Sequence, residues 1–374
     1  MTNRTYSGLI ELQQGKFDDA VITFTSHLTF IEIKREIDHK TIIKEVRGVF
    51  SGLGSLIAYQ PVVDIFYTGS FITTRISFKY LLLSRGHIIP LDKSLYLQGF
   101  SVTSKSLAYW SSSAIILDSH NPQQLTLPSP KQIAHVTTST YIMTWDIGYD
   151  TNYLDQLTTC IAKKLVINII PTSNHFSFTD FLTINNQLGT IALFLTNSLV
   201  DQKAFQFTFS DHNFTLYQSE QPSNSFPRPQ PFMLYALIEN YLSNFLTNVL
   251  NSKSYITTIK QTQLQKLNND VAQEVYFLQL CIVLENLHRN NIQKNKVNFR
   301  NRVEFFIPTI KTIVNLEQIS KTTIVNKIVR GRNALAHTGI ASDVLNGFEL
   351  RYFSQILEST IKIFLLKETL PDNH

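Results

Sequence analysis

Residues Gln221 to Pro231 read QPSNSFPRPQP, and this segment separates two differently patterned halves of the chain. Four prolines in eleven residues exclude a regular helix or a central strand here. Short β-rich runs precede the segment, and apolar residues at helical spacing follow it. The chain of 374 residues is also longer than one core usually supports. The sequence predicts an α+β, multidomain protein, with a β-rich region over 1–220, a Pro-rich linker over 221–231 and an all-α helical bundle over 232–374.

The N-terminal region carries the patterns of many short strands. Apolar and polar residues alternate over 22–30 and again over 205–209, as in half-buried strands. The run at 166–170, which is apolar except for Asn168, and the continuous apolar run at 191–195 are typical of covered strands. These features predict a sandwich or barrel-like fold. A break at 120–130, which reads HNPQQLTLPSP, predicts a division into two lobes.

Helical periodicity after the linker allows the helices to be placed approximately. We expect helices over Phe232–Leu250, Leu264–Arg289, Phe305–Val314 with an interruption at Pro308, Gln318–His337, and Asp343–Leu366. Ser342 or Asp343 is the expected N-cap of the last helix. The polar stretch 290–301 is expected to be a loop between helices.

The balance of basic and acidic residues differs on the two sides of the linker. Residues 1–228 hold 17 basic and 17 acidic residues, whereas residues 229–374 hold 16 basic and 11 acidic residues. The whole basic excess therefore lies in the helical region, where a polyanion would bind. A solvated, lysine-rich helical surface would give the same pattern.

Several classes of protein are disfavoured by composition. Cys160 and Cys281 form no disulfide framework and no metal-ligand spacing, and the histidines of the N-terminal region are scattered without a metal-ligand pair. The N-terminus lacks the apolar stretch of a signal peptide, and no apolar run has the roughly 20 residues needed to span a bilayer. We therefore expect a cytoplasmic protein that requires no metal, cofactor or membrane.

The densest cluster of chemically active side chains is Val329 to Gly339, which reads VRGRNALAHTG. Asn333 and His337 are four residues apart, so on a helix they share a face and the Asn333 amide could orient the imidazole. Arg332 and His337 are five apart, which turns them by roughly 140°. One helix cannot close both side chains around one phosphate, and the spacing predicts a composite site between two copies of the chain.

These residue types suit metal-free cleavage of RNA. An imidazole that titrates near neutral pH can remove a proton from a ribose 2′-hydroxyl and return one to the leaving 5′-oxygen. A guanidinium can hold the phosphate and stabilise its developing charge. The alternative is an ordinary helix C-terminus, in which His337 opposes the helix dipole and Gly339 ends the helix.

The pattern Arg332-Asn333-x3-His337 resembles the R-x4-H motif of HEPN-domain ribonucleases. Residues 271–289 resemble the earlier helix of the Apea-like branch of this family, which carries a Leu-Glu pair followed by a basic residue. The matching positions here are Leu284, Glu285, His288 and Arg289. The resemblance covers about residues 232–368, and the β-rich region before it is similar in order and proportion to Apea-like proteins.

The resemblance implies a metal-independent endoribonuclease that acts as a homodimer, or a higher oligomer, with Arg332, Asn333 and His337 as catalytic residues. It implies a role in anti-phage abortive infection, with the β-rich region sensing a phage-derived trigger or restraining the nuclease. The RNA would be tRNA or another structured RNA. The alternative is a non-catalytic HEPN module that dimerises or binds RNA or a protein partner.

Further basic residues are candidates for RNA binding. These are Arg330, in the motif, and the cluster Lys294, Lys296, Arg300 and Arg302 of the expected loop between helices. The alternative for the cluster is an ordinary solvated loop.

Overall fold

A computed structural model of the protein describes residues 4–13, 15–25, 28–37, 43–68, 71–91, 94–111, 130–153, 159–173, 175–197, 202–217, 235–263, 271–292, 297–313, 320–338 and 344–369. The described chain is β-rich up to residue 217 and helical from residue 235. The predicted α+β class is therefore confirmed. The linker predicted at 221–231 lies outside the described residues, so the domain boundary there stays a prediction.

The first six strands form a closed antiparallel barrel. They are β1 Arg4–Gln13, β2 Lys16–Phe24, β3 Thr29–Ile33, β4 Glu45–Phe50, β5 Gly54–Thr68 and β6 Phe71–Arg85. Their order is β3-β2-β1-β4-β5-β6, and β3 also pairs with β6, with Ile31 opposite Ile76. Alternate residues point inward, and Ile10, Ile22 and Phe50 are among the buried side chains of the barrel's own cluster. The sequence run at 22–30 is two strands, since β2 ends at Phe24, β3 begins at Thr29, and Thr25 and Leu28 exchange hydrogen bonds between them.

The remaining strands form an open sheet that continues from the barrel. They are β7 Leu97–Ser104, β8 Lys131–Thr137, β9 Tyr141–Tyr153, β10 Thr159–Pro171, β11 Gln202–Phe209 and β12 His212–Tyr217. Their order from β6 is β12-β11-β7-β10-β9-β8. The C-terminal half of β6 pairs with β12 through Leu81 to Leu83, so β6 belongs to both parts. The two parts have separate hydrophobic clusters, and the boundary predicted at 120–130 falls almost wholly outside the described residues.

The described part of the β-rich region also contains two helices, α1 Lys105–Trp110 and α2 Phe178–Thr196. The expectation of a strand at 191–195 is wrong, since these residues are the last turns of α2. Ser177 and Asp180 form a capping box that starts this helix. Its C-terminal end is buried on all sides because it lies between the open sheet and the helical region. Burial on all sides explains why this run is continuously apolar. A covered strand and a fully buried helix both have such a run, so the pattern does not distinguish them.

The helical region contains α3 Tyr235–Ile238, α4 Leu242–Asn251, α5 Lys253–Thr262, α6 Gln273–Asn291, α7 Phe299–Phe305, α8 Ile307–Lys311, α9 Lys321–Thr338 and α10 Gly347–Thr369. The single helix expected over 232–250 is interrupted by a 3-10 turn at Glu239–Tyr241. Pro308 lies in the first turn of α8, where its missing N–H costs no hydrogen bond. The last helix is capped by Asn346, which exchanges hydrogen bonds with Glu349; the expected caps at 342–343 lie outside the described residues.

The helical region shares its hydrophobic core with the open sheet. Phe194 of α2 stacks on Phe245 of α4 with ring centroids 5.8 Å apart. The Ser243 hydroxyl of α4 accepts a hydrogen bond from the backbone of β8 at 3.0 Å. One buried cluster therefore runs from β7 to α10. No helix within the described ranges has both the length and the apolar character to cross a membrane.

Candidate functional site

The motif lies in the C-terminal half of α9, so one rigid helix sets the directions of its side chains. The buried face of α9 contains Ile324, Val325, Ile328 and Leu335. Asn333 and His337 are exposed on the opposite face, together with Arg330. Arg332 is half-buried at the edge of the buried face, with 29% of its side chain exposed. The two ionisable groups thus point in different directions on one helix, as their five-residue separation predicts.

Gly331 brings this helix close to its neighbours. It is buried, and a Cβ at this position would lie 2.4 Å from Leu345 Cδ1 and 3.4 Å from a ring carbon of Phe277 in α6. A glycine inside a helix costs up to about 1 kcal/mol relative to alanine. Its benefit here is that Leu345, just before α10, packs directly against the backbone of α9.

Arg332 is held by three neighbours. Its Nη2 lies 3.7 Å from Oε2 of Glu285 in α6. Its Nη1 donates to the Asn333 side-chain oxygen at 3.3 Å, and its guanidinium carbon lies 5.3 Å from the ring centroid of Phe299. An ion pair, a hydrogen bond and a cation–π contact together restrict the guanidinium while leaving part of it accessible.

The Glu285 carboxylate is shared among three arginines. Arg289, one helical turn later, lies 3.5 Å from Oε1, and Arg302 of α7 lies 3.8 Å from the same oxygen. With Arg332, three guanidinium groups surround a carboxylate that is 21% exposed. One negative charge among three positive charges leaves the cluster cationic, which suits a phosphate ligand. The four-residue spacing of Glu285 and Arg289 can be seen in the sequence. The contact of Glu285 with Arg332 cannot, because it joins residues 47 apart.

Arg302 was expected to contact RNA, and the structure corrects this expectation. Its side chain is only 3% exposed. It donates to the backbone oxygens of Val297 at 3.1 Å and Glu285 at 3.3 Å. Its guanidinium therefore ties α7 to α6 inside the protein and cannot reach a ligand at the surface.

His288 is a buried partner of Arg302. Its Nδ1 lies 3.4 Å from Arg302 Nη1, and because a guanidinium has no acceptor, Nδ1 must be the unprotonated nitrogen. The Phe305 ring packs edge-on against the imidazole at 5.0 Å. Burial and then the Arg302 charge lower the pKa of His288. The histidine is thus a neutral structural group that supports the Glu285 cluster.

A pH-dependent loss of stability is expected from His288. Because its pKa is lower in the folded than in the unfolded chain, only the unfolded chain takes up this proton as the pH falls below about 6.5. Its contribution to stability is therefore present above that pH and is lost on acidification. Urea unfolding at about pH 7.5 and about pH 5 should show a smaller pH effect in His288→Gln, whose amide oxygen can still accept from Arg302. Equal pH effects in the two proteins would contradict this assignment.

The other candidate residues are placed as follows. Arg300, at the start of α7, donates from Nη2 to the Asn326 side-chain oxygen of α9 at 2.7 Å. Lys294, Lys296 and Gly339 lie outside the described residues. The hydrogen bond expected from Asn333 to His337 is not formed among the residues described, and the Asn333 oxygen accepts from Arg332 instead. The proposed role of Asn333 in orienting the imidazole stays a prediction.

Other reactive groups near the motif have different properties. Cys281 is fully buried, and burial strongly raises the pKa of its thiol, so it is not a nucleophile at neutral pH. Across the ranges that the structure covers, no three His, Cys, Asp or Glu side chains are grouped so that they could hold a metal ion.

Residues 233–369 match the family model for Apea-like HEPN. This confirms the resemblance predicted from the two helical motifs at nearly the same bounds. The match covers over a third of the chain and does not extend into the β-rich region, so that part of the resemblance stays a prediction. No curated protein and no solved structure matches the chain.

Proposed function

We propose that this protein is a metal-independent endoribonuclease of the HEPN type that acts as a homodimer. The observation that carries the proposal is the arrangement on α9, where Arg332 is held by Glu285 and Phe299 while His337 stays exposed. A Glu285 carboxylate in this position would act as a positioning group for the guanidinium. The family match to the same region supports a HEPN-type nuclease or defence module.

The proposed reaction uses the RNA's own nucleophile. His337 removes the proton of a ribose 2′-hydroxyl, whose oxygen attacks the adjacent phosphorus. The bond from phosphorus to the 5′-oxygen breaks, and an imidazolium returns a proton to that oxygen. Arg332 stabilises the negative charge on the phosphate during this exchange. The products are a 2′,3′-cyclic phosphate and a 5′-hydroxyl, and DNA, which lacks the 2′-hydroxyl, is not cleaved.

The directions of the two side chains support the proposed homodimer. Arg332 lies at the edge of the buried face of α9, and His337 lies on the exposed face, roughly 140° away. Two antiparallel α9 helices would place the Arg332 of each copy near the His337 of the other. Assembly beyond a dimer is compatible with this geometry.

The cellular part of the proposal rests on the family alone. We propose a cytoplasmic protein that cleaves tRNA or another structured RNA during abortive infection. The β-rich region, with its barrel and open sheet, would then sense a phage-derived trigger. Its shared core with the helical region offers a physical route by which such a trigger could affect α9.

The proposal is tested by incubating the purified protein with total RNA in EDTA. We expect cleavage, with 2′,3′-cyclic phosphate ends, and a dimer by light scattering at micromolar concentration. Strict dependence on an added divalent metal, or full activity in a monomer, would overturn it. RNA binding and dimerisation with no cleavage under any condition would favour the alternative, a non-catalytic HEPN module.

A further inference from the structure

The arginines around α9 fall into two groups that differ in their charge partners. Arg289, Arg302 and Arg332 all share the Glu285 carboxylate. Within the described part of the chain, Arg300 and Arg330 have no carboxylate partner, and Arg300 is bound only by the neutral amide of Asn326. Both of these side chains are exposed. Their positive charges are therefore available to a ligand.

One of the two available arginines, Arg330, lies on the same stripe of α9 as His337. Asn326, Arg330, Asn333 and His337 follow one another at intervals of four, three and four residues, so they project from one side of the helix. At 1.5 Å per residue, Arg330 lies about 10 Å and Asn326 about 16 Å along the axis from His337. Arg300 extends the stripe at its far end through its hydrogen bond to Asn326.

No acidic residue interrupts this stripe. The whole of α9, residues 321–338, contains two lysines and two arginines and no Asp or Glu. A row of polar and cationic groups about 16 Å long that ends at an exposed histidine matches a polyanionic strand better than a single small anion. The Asn326 amide sets the direction of Arg300 without neutralising it, which a carboxylate at this position would do.

We infer that the phosphates of an RNA strand on one side of the scissile bond bind along this stripe, first at Arg330 and then at Arg300. The inference rests on the proposed function for the position of the scissile bond at His337. It defines a binding track for the phosphodiester backbone that is independent of base sequence. Arg330 and Arg300 then contribute to RNA binding and not to the chemical step, since neither arginine touches the reacting atoms.

The test measures binding without cleavage. A fluorescent single-stranded RNA with 2′-O-methyl groups cannot be cut, and its anisotropy with the full-length protein gives the affinity at several salt concentrations. Each phosphate contact on a single strand contributes about 0.7 to the slope of log affinity against log salt. Arg330→Ala and Arg300→Ala should each lower this slope by about 0.7, and the double variant by about 1.4. Arg351→Ala removes an exposed arginine of α10 as a matched control and should change nothing.

Asn326→Asp provides a sharper variant. It should place a carboxylate against Arg300 and reproduce the effect of Arg300→Ala while Arg300 itself is retained. A double arginine variant, or Asn326→Asp, that binds with the wild-type slope would overturn the inference. Because binding is measured apart from cleavage, the binding track and the nuclease can be rejected separately. If the variants lower the salt slope but the wild-type protein never cuts RNA, the binding track stands and the nuclease is rejected. If the wild-type protein cuts RNA but the variants keep its salt slope, the nuclease stands and the binding track is rejected.

Discussion

Replacement of His337 by alanine is expected to lower the rate of RNA cleavage by about 10²–10⁴-fold, the usual contribution of general acid–base catalysis. In the proposed homodimer every imidazole would come from a copy that carries the substitution, so the variant would have no intact site. His337 is exposed in the last turn of α9, so the variant should unfold at the wild-type temperature. Cleavage is measured under single-turnover conditions in EDTA.

Two further substitutions separate the roles within the motif. Arg332→Lys should also lose most activity, because an ammonium cannot reproduce the planar fork that binds phosphate. Asn333→Ala should lower activity less, since it removes a neighbour of Arg332 but neither ionisable group. His87→Ala, at an exposed turn after β6, is the matched control and should be fully active. Wild-type rates for His337→Ala would show that the motif is an ordinary helix terminus.

Replacement of Lys362 by alanine is expected to destabilise the protein by about 3–5 kcal/mol. Lys362 of α10 is 1% exposed, and its Nζ lies 2.7 Å from Oε1 of Glu358, whose side chain is 13% exposed. The Tyr276 hydroxyl lies 2.9 Å from the other Glu358 oxygen, and burial strongly raises the pKa of that phenol. Removing the ammonium would leave a largely buried carboxylate without this cation.

The Lys362 ammonium also joins the helical region to the β-rich region. Lys362 Nζ lies 3.5 Å from the Asn197 side-chain oxygen, at the C-terminal end of α2. It also lies 5.8 Å from the centroid of the Phe194 ring. The loss of stability should therefore appear in one cooperative transition of both regions when urea unfolding is followed by circular dichroism.

A double substitution distinguishes charge from packing. Lys362→Met keeps most of the side-chain volume but leaves the Glu358 carboxylate without this cation, so the variant protein should also be strongly destabilised. Adding Glu358→Gln removes that charge and keeps an acceptor for Tyr276, and should recover much of the stability. Lys367→Ala, exposed on the same helix, is the control. A single Lys362→Met variant as stable as the wild type would show that the ion pair contributes nothing.

The sequence alone determined the fold class and the resemblance of the helical region to Apea-like HEPN. The change from β patterning to helical periodicity, the helices carrying the two motifs and the five-residue offset of Arg332 and His337 all depend on local spacing. Local spacing is enough because backbone geometry sets how residues three to five apart are arranged on a helix. The strand pair at 202–217 was predictable for the same reason, with Phe209 opposite His212 across its turn.

Only the tertiary structure decided what surrounds the motif. Glu285 meets Arg332 because α9 packs against α6, and Arg302 is buried because α7 packs against α6. The run at 191–195 is apolar because it is buried on all sides, and apolar composition cannot distinguish a buried helix from a covered strand. The barrel closes because β3 reaches β6 across some 45 residues. Contacts between distant segments depend on how whole elements pack, and the spacing of residues within one element carries no record of them.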